Sequence, residues 1–92
     1  MAIKKYSSKR NNELNYEVKE VFGVLDSDSV NTKELRLVKW GDGDYKYDLR
    51  NWKHNEDGTE TPLRGLTMDA EELQSLLEIL KKLDEEEDNN EE

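Results

Sequence analysis

Two tryptophans are the side chains in this sequence with the clearest capacity for recognition chemistry. Trp40 ends the alternating stretch 32–40 and Trp52 ends the stretch 44–52. Each shares its strand face with cations, Arg36 beside Trp40, and Lys46 with Arg50 beside Trp52. Exposed indoles stack on nucleic-acid bases at roughly 1–3 kcal/mol per base, while lysine and arginine follow the phosphates. The same residues also fit a structural role. Tryptophan is highly buried on average, so one or both indoles could pack in a core. Arg36, Lys46 and Arg50 could equally form a solvated face paired with Glu34 and Asp48.

Catalytic chemistry has little to draw on. The single histidine, His54, has no cysteine to work with, and no serine stands in a nucleophile-elbow context. The carboxylates sit in loops and tails, where solvation explains them. Asp42-Gly43-Asp44 and Asp26-Ser27-Asp28 faintly echo calcium loops, but neither continues into the twelve-residue ligand pattern. One histidine cannot build a metal site alone. There is no glycine-rich phosphate loop. The expectation is a non-enzymatic protein with no cofactor.

The 92 residues allow one domain, and only 33% of them are hydrophobic. A chain this short supplies a core of only about 3–5 kcal/mol unless disulfides, a metal or a partner chain supplement it. With no cysteine, oligomerisation is the supplement left. The missing cysteines also suit a reducing compartment. No segment reads as a secretory signal, and no apolar run approaches the ~20 residues needed to span a membrane. The expected location is the cytoplasm (on the nucleoid), or the nucleus in a host that has one. The net charge of −9 is unevenly spread: residues 1–54 hold 11 Lys/Arg against 9 Asp/Glu, whereas 55–92 hold 3 against 14. Seven of those 14 fall in residues 84–92. A local basic surface is compatible with this total, because charges beyond a Debye length of about 8 Å are largely screened.

These residues have to be positioned by strands. Residues 1–14 lack periodicity and read as a flexible basic arm. Tyr16 to Leu25 reads as a strand from its aromatic and β-branched content, with apolar residues in both alternating sets, so its inner face is not assigned. Residues 32–40 and 44–52 form a hairpin around Gly41-Asp42-Gly43-Asp44. Pairing their apolar sets gathers Leu35, Leu37, Tyr45, Tyr47 and Leu49 on one face. The other then carries Arg36, Trp40, Lys46, Arg50 and Trp52. Residues 63–67, with Arg64 and Gly65, form a short fourth strand, and Pro62 suits its start or a sheet edge. A helix follows over 69–83, with Asp69 as N-cap and Glu72 completing a capping box. Lys81 and Lys82 fall in its last turn. Leu73, Leu76, Leu77, Leu80 and Leu83 form an apolar stripe, with Ile79 off it. The stripe could cover its own sheet. Leu73, Leu76, Leu80 and Leu83 also read as a and d positions of a seam shared with a second helix. Residues 84–92 are expected to be a disordered acidic tail, leaving 15–83 as the folded domain.

The run Tyr45-Lys46-Tyr47-Asp48-Leu49-Arg50-Asn51-Trp52, then Glu56-Asp57-Gly58, then Pro62-Leu63-Arg64-Gly65-Leu66-Thr67-Met68-Asp69, resembles the C-terminal domain of the transcriptional coactivator positive cofactor 4. The small bacterial branch of that family is most similar, through Lys33-Glu34-Leu35 and Val38-Lys39-Trp40 as well. The resemblance covers about residues 16–83. It implies an α+β fold (ββββα), a curved four-stranded antiparallel sheet followed by one amphipathic helix, assembled as a homodimer. It implies single-stranded DNA, with RNA as the alternative, lying across the concave sheets. The contacting residues would be Trp40, Arg50, Trp52 and Arg64, and the alternation adds Arg36 and Lys46 to the same face. A role in transcription, replication or repair is implied, with a transcription or replication protein as a further partner. Two departures stand out. Asp42 and Asp44 occupy a turn that is basic in the eukaryotic members, and Arg64 stands where they carry a longer basic run. Fewer phosphate contacts mean weaker binding at a given salt. The competing expectation is a protein-interaction adaptor that uses the sheet face or the acidic tail.

Overall fold

The computed structural model describes residues 15–90, with side chains through residue 86. The 1–14 arm lies outside the described residues. Four strands, β1 (Tyr16–Ser27), β2 (Asn31–Trp40), β3 (Tyr45–His54) and β4 (Glu60–Met68), precede one helix, α1 (Ala70–Asn90). The strands form an antiparallel meander in the order β1-β2-β3-β4, so β1 and β4 are its edges. This is the ββββα architecture expected from the sequence. No helix among the described residues is long and apolar enough to cross a membrane.

The turns follow from their residues. Asp28 Oδ1 accepts from the backbone N–H groups of Val30 and Asn31 at 2.8 and 2.7 Å, closing the β1–β2 connection. Gly41 takes φ 60° in the β2–β3 turn and Gly58 takes φ 91° in the β3–β4 loop, a region that only glycine enters cheaply. Leu35 pairs with Leu49 and Leu37 with Tyr47 across the β2–β3 ladder, as the alternation predicts. β4 begins earlier than expected, because Thr61 and Glu60 continue the pairing with Lys53 and His54.

The sheet is strongly curled. Trp52 lies opposite Thr32 in the ladder, eight positions along β2 from Trp40. At ~3.3 Å per residue, a flat sheet would hold those positions roughly 26 Å apart. Their ring centroids are instead 6.4 Å apart. Long side chains leaning together recover only part of that difference, so the strands themselves bend. β1 supplies three register shifts, at Val18/Glu20, Val21/Gly23 and Val24/Asp26, and β3–β4 supplies a fourth at Arg50/Trp52. Bulges of this kind bend a strand and increase its twist.

Curling makes the tryptophan side concave, and the core forms there. Tyr16, Val18, Val38 and Trp52 are buried, with Trp40 packed against them. Trp52 and Val38 have no exposed surface. This corrects two expectations, that the leucine face is the inner one and that the cation-bearing face with its two indoles is open. Leu35, Leu37, Tyr47 and Leu49 lie on the convex side and are only half-buried. The physical reason is curvature, which crowds the concave side chains together, and ion pairing, which lets charged residues share that space.

The helix begins as predicted. The Glu72 N–H donates to Asp69 Oδ1 at 2.8 Å, and the Asp69 N–H donates to Glu72 Oε1 at 2.9 Å. It does not stop at Leu83. It continues to Asn90 through the acidic run, which places Lys81 and Lys82 mid-helix rather than in the last turn and makes residues 84–90 helical rather than disordered. Glutamate is a good helix former, no glycine or proline interrupts the run, and Glu78–Lys82 has the favourable i,i+4 order.

Candidate nucleic-acid interface

The sequence places an acid two residues before each arginine, Glu34-Leu35-Arg36 on β2 and Asp48-Leu49-Arg50 on β3. Residues two apart in a strand share a face, so each arginine meets its carboxylate directly. Arg36 Nε contacts Glu34 Oε1 at 2.7 Å. Its other nitrogens take Glu60 from β4, Nη1 to Oε2 at 2.7 Å and Nη2 to Oε1 at 3.0 Å. Arg50 grips Asp48 through Nε to Oδ1 at 2.7 Å and Nη2 to Oδ2 at 2.8 Å, and donates through Nη1 to the Leu63 carbonyl at 3.0 Å.

The two arginines also serve the two indoles crosswise. Arg36 of β2 lies 3.9 Å from the ring centroid of Trp52 on β3. Arg50 of β3 lies 4.7 Å from the ring centroid of Trp40 on β2. Trp40 Nε1 donates to Asp48 Oδ2 at 3.0 Å. Asp48 thus accepts from an indole and a guanidinium while fully buried, a satisfied arrangement for a buried carboxylate. Trp40 and Trp52 are nearly parallel, at 11°. Tyr16 leans against both, 5.2 Å from Trp40 and 5.6 Å from Trp52.

Burial alone would push the Glu34 carboxyl up. Hydrogen bonds from Arg36 and Thr32, with the charges of Arg36 and His54, outweigh it and hold Glu34 below the ordinary glutamate range. For Arg36, burial works downward, and its bonds to Glu60 and Glu34 more than offset it. Both groups are therefore charged at neutral pH.

The six residues expected to bind nucleic acid separate into two sets. Arg36 and Trp52 are buried, at 3% and 0% exposure, and neither can touch a base or a phosphate as it stands. Arg50 is mostly covered and already neutralised by Asp48. Trp40 is partly buried, whereas Lys46 and Arg64 are exposed and form no ion pair among the described residues. Lys46 opposes Val38 across the ladder, one step from Trp40 on the concave side. Of the four leucines expected at a dimer seam, Leu73 and Leu76 are half-buried, and Leu80 and Leu83 stand 49% and 54% exposed. They belong to a different surface, on the convex side.

Sequence reasoning did not single out Tyr16 or Glu60. Tyr16 precedes the bulges that scramble β1's alternation, and Glu60 is 24 positions from Arg36. Next to Glu60, His54 Nε2 lies 2.8 Å from Thr32 Oγ1, an arrangement that superficially suggests a nucleophile and its base. Thr32 Oγ1 donates to Glu34, His54 Nδ1 is 3.9 Å from Glu60, and Glu60 is engaged by Arg36. The contact therefore lacks the aligned third group that orients a catalytic base. No cluster suited to a metal ion occurs among the described residues. No family model matches the chain, and no curated protein matches it in sequence.

Proposed function

We propose that this protein binds single-stranded nucleic acid without catalysis, through the concave side of its sheet, as a homodimer in which helices and convex apolar faces cover one another. The observation that carries this reading is Trp40. It is a partly exposed indole with a guanidinium over one face and a free ammonium group, Lys46, beside it on a curved sheet. The resemblance to the positive cofactor 4 family supports the same reading, as does the exposed Arg64 at the bulged start of β4. Single-strand binders combine stacking rings with cations that track the backbone. The burial of Arg36 and Arg50 against carboxylates leaves Lys46 and Arg64 as the phosphate contacts, a small number that favours modest affinity.

The test is a titration of a labelled oligothymidine at two salt concentrations. Lys46→Ala and Arg64→Ala should each weaken binding at low salt and flatten the slope of log K against log salt by about 0.7. Trp40→Ala should weaken binding by about 1–3 kcal/mol at both salts. Duplex of equal length should compete poorly, since its bases are already stacked. No salt-dependent binding by the folded wild type would end this reading.

A second reading, a protein-interaction adaptor, is favoured by one feature of the convex side. An apolar groove of about 570 Å³ runs between α1 and the sheet, lined by Leu35, Leu49, Met68, Leu73, Leu77 and Leu80 among others. Pockets of this size and character take apolar anchors.

A further inference from the structure

The aromatic cluster presents a problem of access. Trp52 has no exposed surface, yet it lies on the concave side beside Trp40, the indole proposed to stack on bases. For Trp52 to join that surface, one of its covering side chains has to move. Arg36 covers one face and is held by Glu34 and Glu60 through three bonds of 2.7 to 3.0 Å. Trp40 is tied to Asp48. Both stand on β2, which is paired on its two sides.

Tyr16 is placed differently. It is the first residue of β1, an edge strand paired only with β2. Its ladder partner is Trp40, the last residue of β2. The next backbone bond outward, Gly41 N–H to the Asn15 carbonyl at 2.7 Å, closes that end. Strand ends open at lower free energy than paired interiors. The tyrosine ring fills the corner between the two indoles, tilted 35° to one and 46° to the other.

An independent observation concerns the indole N–H of Trp52. It is buried and has no hydrogen-bond partner among the described residues, whereas the indole N–H of Trp40 is bonded. Buried donors are nearly always paired, and an unpaired one calls for an explanation. A nucleobase brings both things this corner can use, a planar π-face and ring-edge acceptors.

We propose that Tyr16 is a displaceable cover for the Trp40–Trp52 platform, and that a nucleobase of the bound single strand takes its place and accepts a hydrogen bond from Trp52 Nε1. This rests on the single-strand reading and adds to it. Trp52 becomes a base contact only after the start of β1 has moved. The closed cluster is then the ligand-free state, and part of the binding free energy is spent on opening it.

The experiment uses the absence of cysteine from the chain. Glu17 and Lys39 are ladder partners immediately after Tyr16 and before Trp40. The Gly41–Asn15 bond makes theirs a hydrogen-bonded pair, with an expected Cα separation of about 5.5 Å, which is within reach of a disulfide. The double variant Glu17→Cys/Lys39→Cys, oxidised, should keep the start of β1 on β2. Oligothymidine should bind the reduced form like wild type and the oxidised form at least tenfold more weakly, with the tryptophan emission change at saturation largely lost. In parallel, Tyr16→Ala should bind about threefold or more tighter than Tyr16→Phe, which retains the ring. Circular dichroism checks that each form is folded. Equal affinity and equal emission change in the oxidised and reduced forms would overturn the proposal and leave single-strand binding standing. No binding by wild type would remove the single-strand reading and this inference with it.

Discussion

Arg36 and Arg50 show how much a residue's role depends on what lies across the sheet from it. Alternation alone puts both on the tryptophan side, where they read as cations available to phosphate. Each is instead bound to carboxylate, and the buried cluster holds Glu34, Asp48 and Glu60 against two guanidinium groups. Half of this was legible, because Glu34-x-Arg36 and Asp48-x-Arg50 declare their own pairing through strand parity. The rest was not, because Glu60 joins Arg36 through a ladder that local spacing does not reveal. A consequence is acid sensitivity. The Glu34 carboxyl is held below its ordinary value of 4.5. Such a group contributes stability that is fully present above its unfolded pKa and is lost as pH falls through the folded one. Urea midpoints should therefore be steady from pH 7 down to about 4.5 as far as Glu34 is concerned, then decline on further acidification. Glu34→Gln should start less stable and show a shallower acid decline. A Glu34→Gln decline as steep as that of wild type would place the sensitivity elsewhere, Asp28 being the other carboxyl held low, by the N–H groups of Asn31 and Val30.

Among the elements, the strands and their pairing were readable and the curvature was not. The β2–β3 register follows directly from two clean alternations around a glycine turn. β1 resisted assignment for a reason now visible. Three register shifts interrupt its parity, so its two apolar sets belong to one strand that changes face along its length. The same bulges help decide which side of the sheet is concave, and a period of two contains no record of them. At the other edge, the close approach of β4 to β3 depends on Gly65. A Cβ there would overlap Arg50 Cα and Cβ and the Leu49 carbonyl, whereas a Cβ at Gly23 in β1 would meet nothing within 4 Å. Gly65→Ala should therefore destabilise the protein by about 1–3 kcal/mol and loosen the hold of Arg50 on Trp40, visible as a change in tryptophan emission. Gly23→Ala should be neutral or slightly stabilising, since both folded forms can accommodate it and the unfolded chain loses freedom. Chemical denaturation of the two variants side by side checks the contrast, and equal effects would mean that the β3–β4 contact tolerates the extra carbon by shifting.

At the scale of the whole molecule, the fold has two sides with opposite needs. The concave side satisfies itself. Its rings, ion pairs and one fully buried carboxylate leave little for a partner chain to add. The convex side does not, since Leu66 is 53% exposed, and on the helix Leu77 is 45%, Ile79 55%, Leu80 49% and Leu83 54% exposed. A second copy is the occupant best matched to this side. It offers a helix with the same leucine stripe and the same half-buried sheet, so the two apolar surfaces are self-complementary in the way a twofold interface requires. Charge constrains the arrangement. The helix ends in the acidic residues Asp84, Glu85 and Glu86 with nothing basic in its last turn, and each chain carries −9. Parallel helices would set these ends side by side, so an antiparallel pairing that keeps them apart is favoured. Added salt screens the remaining repulsion. Dimerisation should therefore tighten as salt rises, while oligonucleotide binding, which releases counterions, should weaken. Light scattering at tens of micromolar should give twice the chain mass, and Leu80→Glu or Leu83→Glu should give the single-chain mass with lower thermal stability. A wild-type protein that stays monomeric and folded at that concentration in high salt would assign the convex groove to a different partner and make the adaptor reading the leading one.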